Sequence, residues 1–128
     1  MSSRDQLKTI RPNIATISIE KSTSDAERFQ NQCLRPILKL QNELLLALFQ
    51  QYIRKRKNKY LELNEKKQLE YIEHSIRQDL KFKNLLVGTI IGQFTLEELE
   101  QFQQAEKELT RRITDMLVLR LQSQLIKE

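Results

Sequence analysis

The sequence predicts a single all-α domain, an antiparallel bundle of three long helices that follows an irregular N-terminal strap. Gly and Pro together supply only 4 of 128 residues, against about 12% in average proteins. So few turn-forming residues argue against sandwiches, barrels and βαβ series. The chain holds 21 Leu, 12 Ile and 14 Gln but only 2 Val, which favours helix over strand. A hydrophobic content of 39% excludes a low-complexity disordered chain, and a single Cys excludes a disulfide scaffold.

Residues 1–23 are expected to form the strap. Ser3 is placed to cap a short helix over residues 4–10, and Pro12 prevents its smooth continuation. The isoleucines that follow are spaced irregularly among Ala, Thr and Ser. This stretch therefore predicts an extended segment laid across the bundle.

The first long helix is predicted over residues 25–57. Ser24 and Glu27 have the spacing of a capping box. Pro36 removes one backbone N–H, and we expect a kink there because the apolar pattern keeps its phase across it; a helix that starts at Pro36 is the alternative. The helix is expected to end near Lys57–Lys59, with cations at its negative end. Its apolar stripe is Phe29, Cys33, Ile37, Leu40, Leu44, Leu48 and Tyr52.

The second and third helices are predicted over residues 65–91 and 96–126. Asn64 is the expected N-cap of the second helix, and Gly92 is expected to end it in a left-handed conformation. Thr95 and Glu98 form a capping box at the start of the third. The stripe of the second helix is Leu69, Ile72, Ile76, Leu80, Val87 and Ile90/Ile91. The stripe of the third is Leu99, Phe102, Leu109, Ile113, Met116/Leu117, Leu121 and Leu125.

The second helix carries a further apolar face, nearly opposite its main stripe. On a helical wheel this face holds Tyr71, Phe82 and Leu85, with Gly88 at its margin. One stripe per helix suffices in a lone three-helix bundle, so this face needs a cover. Self-association is the favoured interpretation, and cover by the strap is the alternative. We therefore expect a homo-oligomer with Tyr71, Phe82, Leu85 and Gly88 as the candidate interface.

The net charge of +5 lies in one short basic patch. Arg54, Lys55, Arg56, Lys57 and Lys59 are its members, and the rest of the chain has 17 basic and 17 acidic residues. The flanking Tyr52 and Tyr60 could stack on single-stranded nucleic acid. A solvated helix end is the favoured interpretation of the patch, and a candidate anion or nucleic-acid site is the alternative.

The sequence contains no motif that specifies an enzyme. One histidine, one cysteine and two glycines exclude most metal constellations, CxxC pairs and phosphate loops. Glu70 and His74 are spaced as a surface ion pair, and Cys33 as a small buried hydrophobe. We expect no catalytic residue, metal or cofactor. A helical-bundle enzyme without a motif is the third-ranked function.

The apolar runs indicate a protein without a membrane partner. No secretory signal is expected in the polar start of the chain. The longest apolar runs, residues 44–49 and 85–91, fall far short of the roughly 18 residues of a membrane span. A single thiol suits a reducing compartment. The expected location is the cytoplasm.

Residues 28–39, with RFQNQ followed by LRPILK, and the segment FTLEE at residues 94–98 carry a resemblance. With them the chain resembles uncharacterised small helical proteins of flavobacteria, some of which are labelled "glyoxalase". The resemblance covers most of the chain and contains no motif of known chemistry. Glyoxalases hold a metal with His and Glu ligands on strands, whereas this chain has one His and predicts no strand series, so no activity is carried over.

These observations predict a non-enzymatic helical interaction or assembly protein that associates with itself or with another protein. The alternative is a small basic nucleic-acid-binding protein that uses residues 54–59.

Overall fold

The computed structural model describes residues 2–13 and 24–125, and this part of the chain is all-helical. Helices make up 84% of it and it contains no strand. The expected strap falls partly on residues 14–23, which lie outside the described residues. The seven α-helices are α1 (Asp25–Phe29), α2 (Arg35–Leu40), α3 (Asn42–Lys55), α4 (Glu65–Gln78), α5 (Leu80–Ile91), α6 (Leu96–Gln103) and α7 (Glu106–Leu125).

Each of the three long helices expected from the sequence is interrupted in the structure. The first comprises α1, a π-helical turn over Gln30–Leu34, α2 and α3. The second is divided into α4 and α5, and the third into α6 and α7. No helix within residues 2–13 and 24–125 has the length and apolar character needed to cross a membrane.

The N-terminal segment is a 3₁₀ helix over Ser3–Ile10, and Ser2 caps it instead of Ser3. The Ser2 hydroxyl accepts the Arg4 N–H at 3.1 Å. The Arg4 guanidinium donates in turn to the carbonyls of Gly92 and Phe94, at 2.7 and 2.8 Å. These carbonyls follow α5, where a helix leaves acceptors without intrahelical partners, so the arginine pins the segment to the end of α5.

The π-helical turn lets the chain remain helical through Pro36. Ser24 caps α1 as predicted, since its hydroxyl accepts the Glu27 N–H at 3.0 Å. Helical dihedral angles continue through the turn into α2, which has the proline in its first turn. A π-turn inserts one extra residue into a helix. Pro36 therefore neither stops the helix nor starts it.

A second interruption, at Gln41, precedes α3, whose buried face differs from the predicted stripe. Gln41 departs from helical geometry with a ψ of 6°. Beyond it the expected stripe residues Leu44, Leu48 and Tyr52 are exposed or only partly buried. The buried residues are each one position later in the chain, at Leu45, Phe49 and Ile53. The helix also ends at Lys55, two residues earlier than predicted, and Lys57 and Asn58 have positive φ.

The second long helix breaks at Asp79, whose backbone is extended with a ψ of 98°. Asn64 caps α4 as predicted, since its side chain accepts the Lys67 N–H at 2.9 Å. Beyond the break the predicted stripe residues Val87 and Ile90 are buried, but Leu80 is 66% exposed. Phe82, which is not in the predicted stripe, is only 5% exposed. Gly92 ends α5 with right-handed dihedral angles, so the expected left-handed end is wrong.

The third long helix keeps its predicted core face despite a turn at Gln104–Ala105. Thr95 and Glu98 make both hydrogen bonds of the predicted capping box. The side chain of Leu125 lies outside what the structure describes. The predicted stripe residues that are buried are Phe102, Leu109, Ile113, Leu117 and Leu121, and Leu99 and Met116 are partly buried against them.

Side-chain contacts fix the directions in which the helices pack. Gln41 donates to the Thr89 carbonyl at 2.9 Å, and Tyr52 donates to Asp79 at 3.0 Å, so α3 and α5 run antiparallel. The longest helix, α7, is antiparallel to α4 and parallel to α1–α3. The contacts that show this are Gln122 with the Leu69 carbonyl, Arg77 with Asp115, Arg112 with Gln30, and Arg120 with Asn42.

Circular dichroism should show a strongly helical protein, because nearly all described residues are in helices. Roughly two-thirds or more of the residues should contribute helical signal, against about 30–35% in average proteins. The measurement is the far-ultraviolet spectrum of the whole chain. A spectrum dominated by β structure would contradict the fold.

Candidate functional site

Five aromatic side chains meet where α3 ends against α4 and the start of α5. The ring centroids of Tyr52 and Phe82 lie 4.1 Å apart, and those of Tyr60 and Tyr71 lie 5.4 Å apart. Phe49 contacts all four of the others and has no exposed surface. This aromatic cluster contains all three tyrosines of the chain.

Asp79 connects the aromatic cluster to the basic patch. One carboxylate oxygen accepts the Phe82 N–H, which caps α5, and the other accepts the Tyr52 hydroxyl and the Arg56 guanidinium. The Phe82 N–H, with Tyr52 and Arg56, lowers the pKa of Asp79. Burial, with the hydrogen bond to Asp79, raises the pKa of Tyr52 to about 12. At neutral pH Asp79 is therefore an ionised carboxylate and Tyr52 is a neutral phenol.

Arg56 lies flat on the aromatic cluster. Its guanidinium carbon is 3.5 Å from the centre of the Tyr52 ring, a cation–π distance. The side chain remains 43% exposed. One face of the guanidinium is thus held by Tyr52, and the opposite face is directed away from that ring.

A cavity of about 510 Å³ opens between Arg56 and the outer face of α4. Its charged lining groups are Arg56, Lys67 and Glu70, and His74 lines it as well. We see no ion pair between Glu70 and His74 in the described part of the chain, so the expected surface pair is not formed there. The rest of the lining is Tyr52, Leu63, Tyr71 and Ser75.

The hydroxyl of Tyr71 is buried at this cavity without a hydrogen-bond partner among the described residues. Burial raises the pKa of Tyr71, so the group is a neutral phenol and a donor. A buried polar group without a partner costs free energy, and its presence calls for an explanation.

The basic patch differs from the arrangement expected of a helix end. Arg54 and Lys55 end α3, while Lys57 and Lys59 lie in the following turn and 3₁₀ helix. Lys81, from the start of α5, lines a groove of about 200 Å³ together with Lys55. The sequence alone does not predict that Lys81 lies beside the patch, because this position depends on the break at Asp79.

The expected stacking of Tyr60 on nucleic acid is wrong, because Tyr60 is only 4% exposed. The Tyr52 ring is partly buried and contacts Arg56, Phe82 and Phe49. The two tyrosines therefore do not form an exposed pair of stacking surfaces beside the patch.

The four candidate interface residues do not share one surface. Phe82 is buried against the aromatic cluster of its own chain, and Tyr71 is partly buried there. Tyr71 lies on α4 before the break at Asp79, and Phe82 lies on α5 beyond it. Leu85 is 49% exposed and Gly88 is exposed, so these two remain on the surface.

Leu85 and Gly88 lie beside a row of apolar residues on α3, and together they form what we call the α3/α5 face. The α3 members are the exposed Leu44 and Ala47 and the partly buried Leu48, spaced to share one side of the helix. Leu48 and Leu85 line the same groove. Leu44 is 44% exposed. No residue from 44 to 53 or from 84 to 96 is charged.

A buried ion pair joins the N-terminal segment to α6. The Arg11 guanidinium donates to both oxygens of Glu98 at 2.7 Å, and the side chains are 6% and 8% exposed. The same guanidinium donates to the Gln93 carbonyl at 2.7 Å. Burial favours the neutral acid, but Arg11 and the Thr95 N–H outweigh it, so the pKa of Glu98 is lowered. The sequence signalled only the capping role of Glu98.

Cys33 is buried next to this ion pair, at the edge of a cleft of about 960 Å³. Burial, together with the Glu98 carboxylate, raises the pKa of the Cys33 thiol. The thiolate is the nucleophilic form of cysteine, so this thiol is unreactive at neutral pH. Among residues 2–13 and 24–125, no group of three or more His, Cys, Asp or Glu side chains is placed to hold a metal ion.

Comparisons with protein-family models, with curated proteins and with solved structures found no match to this chain.

Replacing Arg11 by Met should destabilise the fold by about 3–5 kcal/mol, because it leaves the Glu98 carboxylate buried and unpaired. Urea unfolding at pH 7 measures this. The double variant Arg11→Met/Glu98→Gln should be destabilised by less than the sum of the single variants. Arg28→Met is the matched control: Arg28 pairs with Asp25 in an exposed ion pair, worth less than about 1 kcal/mol. Equal destabilisation at the two arginines would contradict the role of burial.

The contribution of Glu98 should depend on pH in one direction. Its pKa in the folded chain is lowered, so the stabilisation is complete above the ordinary glutamate pKa of about 4.3 and declines as the pH falls through the folded value. The difference in unfolding free energy between wild type and Glu98→Gln should therefore be smaller at acidic pH than at neutral pH. If the difference in unfolding free energy instead grew as the pH fell, the lowered pKa of Glu98 would be contradicted.

Proposed function

We propose that this chain is a cytoplasmic, non-enzymatic assembly protein that joins a second copy of itself through the α3/α5 face. In this proposal the three interrupted helices form an antiparallel bundle that presents the face. The antiparallel contacts of α3 with α5 and of α4 with α7 support the arrangement. The observation that carries the proposal is an apolar, charge-free surface spanning two neighbouring helices.

The composition of the α3/α5 face is typical of the centre of a protein interface. Interface centres are depleted in charge, whereas an ordinary helical surface exposes Lys and Glu. Here the exposed side chains between Glu43 and Arg54 are Leu, Ala and Gln, with further apolar surface from Leu85. A contiguous exposed apolar patch on a helical protein marks an interaction site.

The charges at the two ends of the face favour a second copy as the partner. Glu43 lies at one end, and Lys55 and Lys81 lie at the other, about 18 Å away along the α3 axis. A two-fold axis through the middle of the face would place each Glu43 opposite the lysines of its partner. A two-fold dimer is therefore complementary in charge at both ends.

Gly88 allows close approach near the Glu43 end of the face, because Gln41 pairs with the neighbouring Thr89. A Cβ atom built on this glycine would meet nothing within 4 Å. The missing side chain is therefore not required by packing within the chain. It leaves room for a side chain of the partner.

A nucleic-acid-binding role for Arg54, Lys55, Arg56, Lys57 and Lys59 is the second candidate. The addition of Lys81 to the patch favours it. The variant Arg54→Gln/Lys55→Gln/Arg56→Gln should flatten the logarithmic salt dependence of binding by about 0.7–0.9 for each phosphate that it no longer neutralises. The measurement is binding to single- and double-stranded DNA and RNA across a range of salt concentrations. Curves identical to those of the wild type, or no binding at low salt, would reduce the patch to a solvated surface.

Light scattering should give a mass of at least twice 15.3 kDa for the wild type. Leu85→Glu should weaken the dimer by at least about 30-fold, or about 2 kcal/mol, because it places an unpaired charge in an apolar contact. Leu85 is largely exposed in the single chain, so the variant should still fold. Phe82→Glu is unsuitable for this test, because Phe82 belongs to the core.

Leu119→Glu is the matched control, since Leu119 is 66% exposed on α7. It introduces the same charge on a helix surface away from the face and should leave the dimer intact. Gly88→Ala tests the close approach: it should stabilise α5 by up to about 1 kcal/mol and still weaken the dimer. A monomeric wild type, or equal effects of Leu85→Glu and Leu119→Glu, would overturn the proposal.

A further inference from the structure

The cavity between Arg56 and α4 lies outside the α3/α5 face and has the features of a ligand site. Its volume of about 510 Å³ is in the range of about 300–1,000 Å³ for small-molecule pockets. It is lined by two tyrosines and one leucine together with five polar or ionisable side chains. We propose that this cavity binds a nucleoside monophosphate, free or at the end of a single strand, with Arg56, Lys67 and Tyr71 holding the phosphate.

Two cations and one phenol supply donors for a phosphate. The terminal nitrogens of Arg56 each make one hydrogen bond within the chain, to the Tyr52 carbonyl and to Asp79, and the remaining N–H groups suit phosphate oxygens. Lys67 supplies a compact charge from α4. Arg56 belongs to the run of cations at residues 54–59, whose positive potential attracts an anion from a distance. Phosphate is thus favoured over a neutral ligand.

The hydroxyl of Tyr71 is buried, and no contact within the described part of the chain satisfies it. The described residues offer it no hydrogen-bond partner, and the residue itself lines the cavity. In this proposal, ligand binding displaces the side chains that cover the hydroxyl, and a phosphate oxygen then accepts its proton.

The remaining groups fit the base and the sugar. Guanidinium planes stack on nucleobases, and the Arg56 plane has one face held by Tyr52 and the opposite face directed away from that ring. Glu70 is a carboxylate acceptor in a cavity that otherwise favours anions. Carboxylates of nucleotide sites accept hydrogen bonds from ribose hydroxyls, and Glu70 is placed for that role.

Calorimetry with a nucleoside 5′-monophosphate, the unphosphorylated nucleoside and inorganic phosphate tests the proposal on the wild-type chain. We expect sub-millimolar binding of the monophosphate and at least about tenfold weaker binding of the other two, because each lacks one half of the contacts. A short single-stranded RNA with a 5′-phosphate forms the second arm. Competition between this RNA and the monophosphate would identify a strand end as an equal source of the ligand.

Two variants test the phosphate contacts. Lys67→Gln should weaken binding of the monophosphate by about tenfold or more, since it removes a charged donor. Tyr71→Phe keeps the ring and removes only a hydroxyl that has no partner in the described chain, so thermal stability should stay equal or rise. The same variant should weaken binding of the monophosphate severalfold. If Tyr71 had only a structural role, its substitution would not lower the affinity while leaving the stability unchanged.

Lys66→Gln is the control for charge alone, because Lys66 is an exposed neighbour on α4 that does not line the cavity. It should leave the affinity within about twofold of the wild type. Equal weakening by Lys66→Gln and Lys67→Gln, or unchanged affinity in Lys67→Gln or Tyr71→Phe, would overturn the proposal. The proposal would also be overturned if the monophosphate did not bind at millimolar concentration. This holds even if RNA bound, because that binding would then use exposed cations only.

Discussion

The carboxylate of Asp79 fixes the start of α5 and joins it to α3. It ends one helix, caps the next through the Phe82 N–H, and holds Tyr52 and Arg56 of α3 with its second oxygen. An uninterrupted helix over this stretch would put Leu80 in the core. The break instead buries Phe82, exposes Leu80 and brings Lys81 to the basic patch.

Features that depend on a few neighbouring residues could be predicted from the sequence. The caps at Ser24, Asn64 and Thr95 are examples, since each needs only its own side chain and an N–H two or three residues later. The helical class of the described chain follows from composition, and the core face of α7 from its periodic residues. These are properties of one helix at a time.

Interruptions of the helices could not be predicted in the same way. The predicted stripe fails at Leu44 and Leu48 beyond Gln41 and at Leu80 beyond Asp79, whereas it holds beyond the turn at Gln104–Ala105. Gln41 carries no breaking signal, yet the buried positions beyond it are Leu45 and Phe49 instead of Leu44 and Leu48. A slip of one residue rotates a helix by about 100°, so a wheel drawn across a break assigns core residues to the surface.

The contacts of the candidate sites span long distances in the chain, which also explains why the sequence did not reveal them. Arg11 meets Glu98 across 87 positions, and no local pattern in either segment indicates a charged partner. Arg56 meets Asp79 across 23 positions and depends on the break at that residue. By contrast, the sequence alone shows that Cys33 is the single cysteine and that residues 54–59 carry the net charge.

The two proposed surfaces meet at Arg56, which lines both the cavity beside α4 and the groove at the basic end of the α3/α5 face. Its guanidinium is divided between the Tyr52 ring and the Asp79 carboxylate. A phosphate that draws this cation into the cavity would take positive charge from the end of the face that meets Glu43 of a second copy. Binding free energies are reciprocal, so self-association would then weaken phosphate binding by the same factor. The position of one arginine therefore makes the two proposed interactions competitors for the same charge.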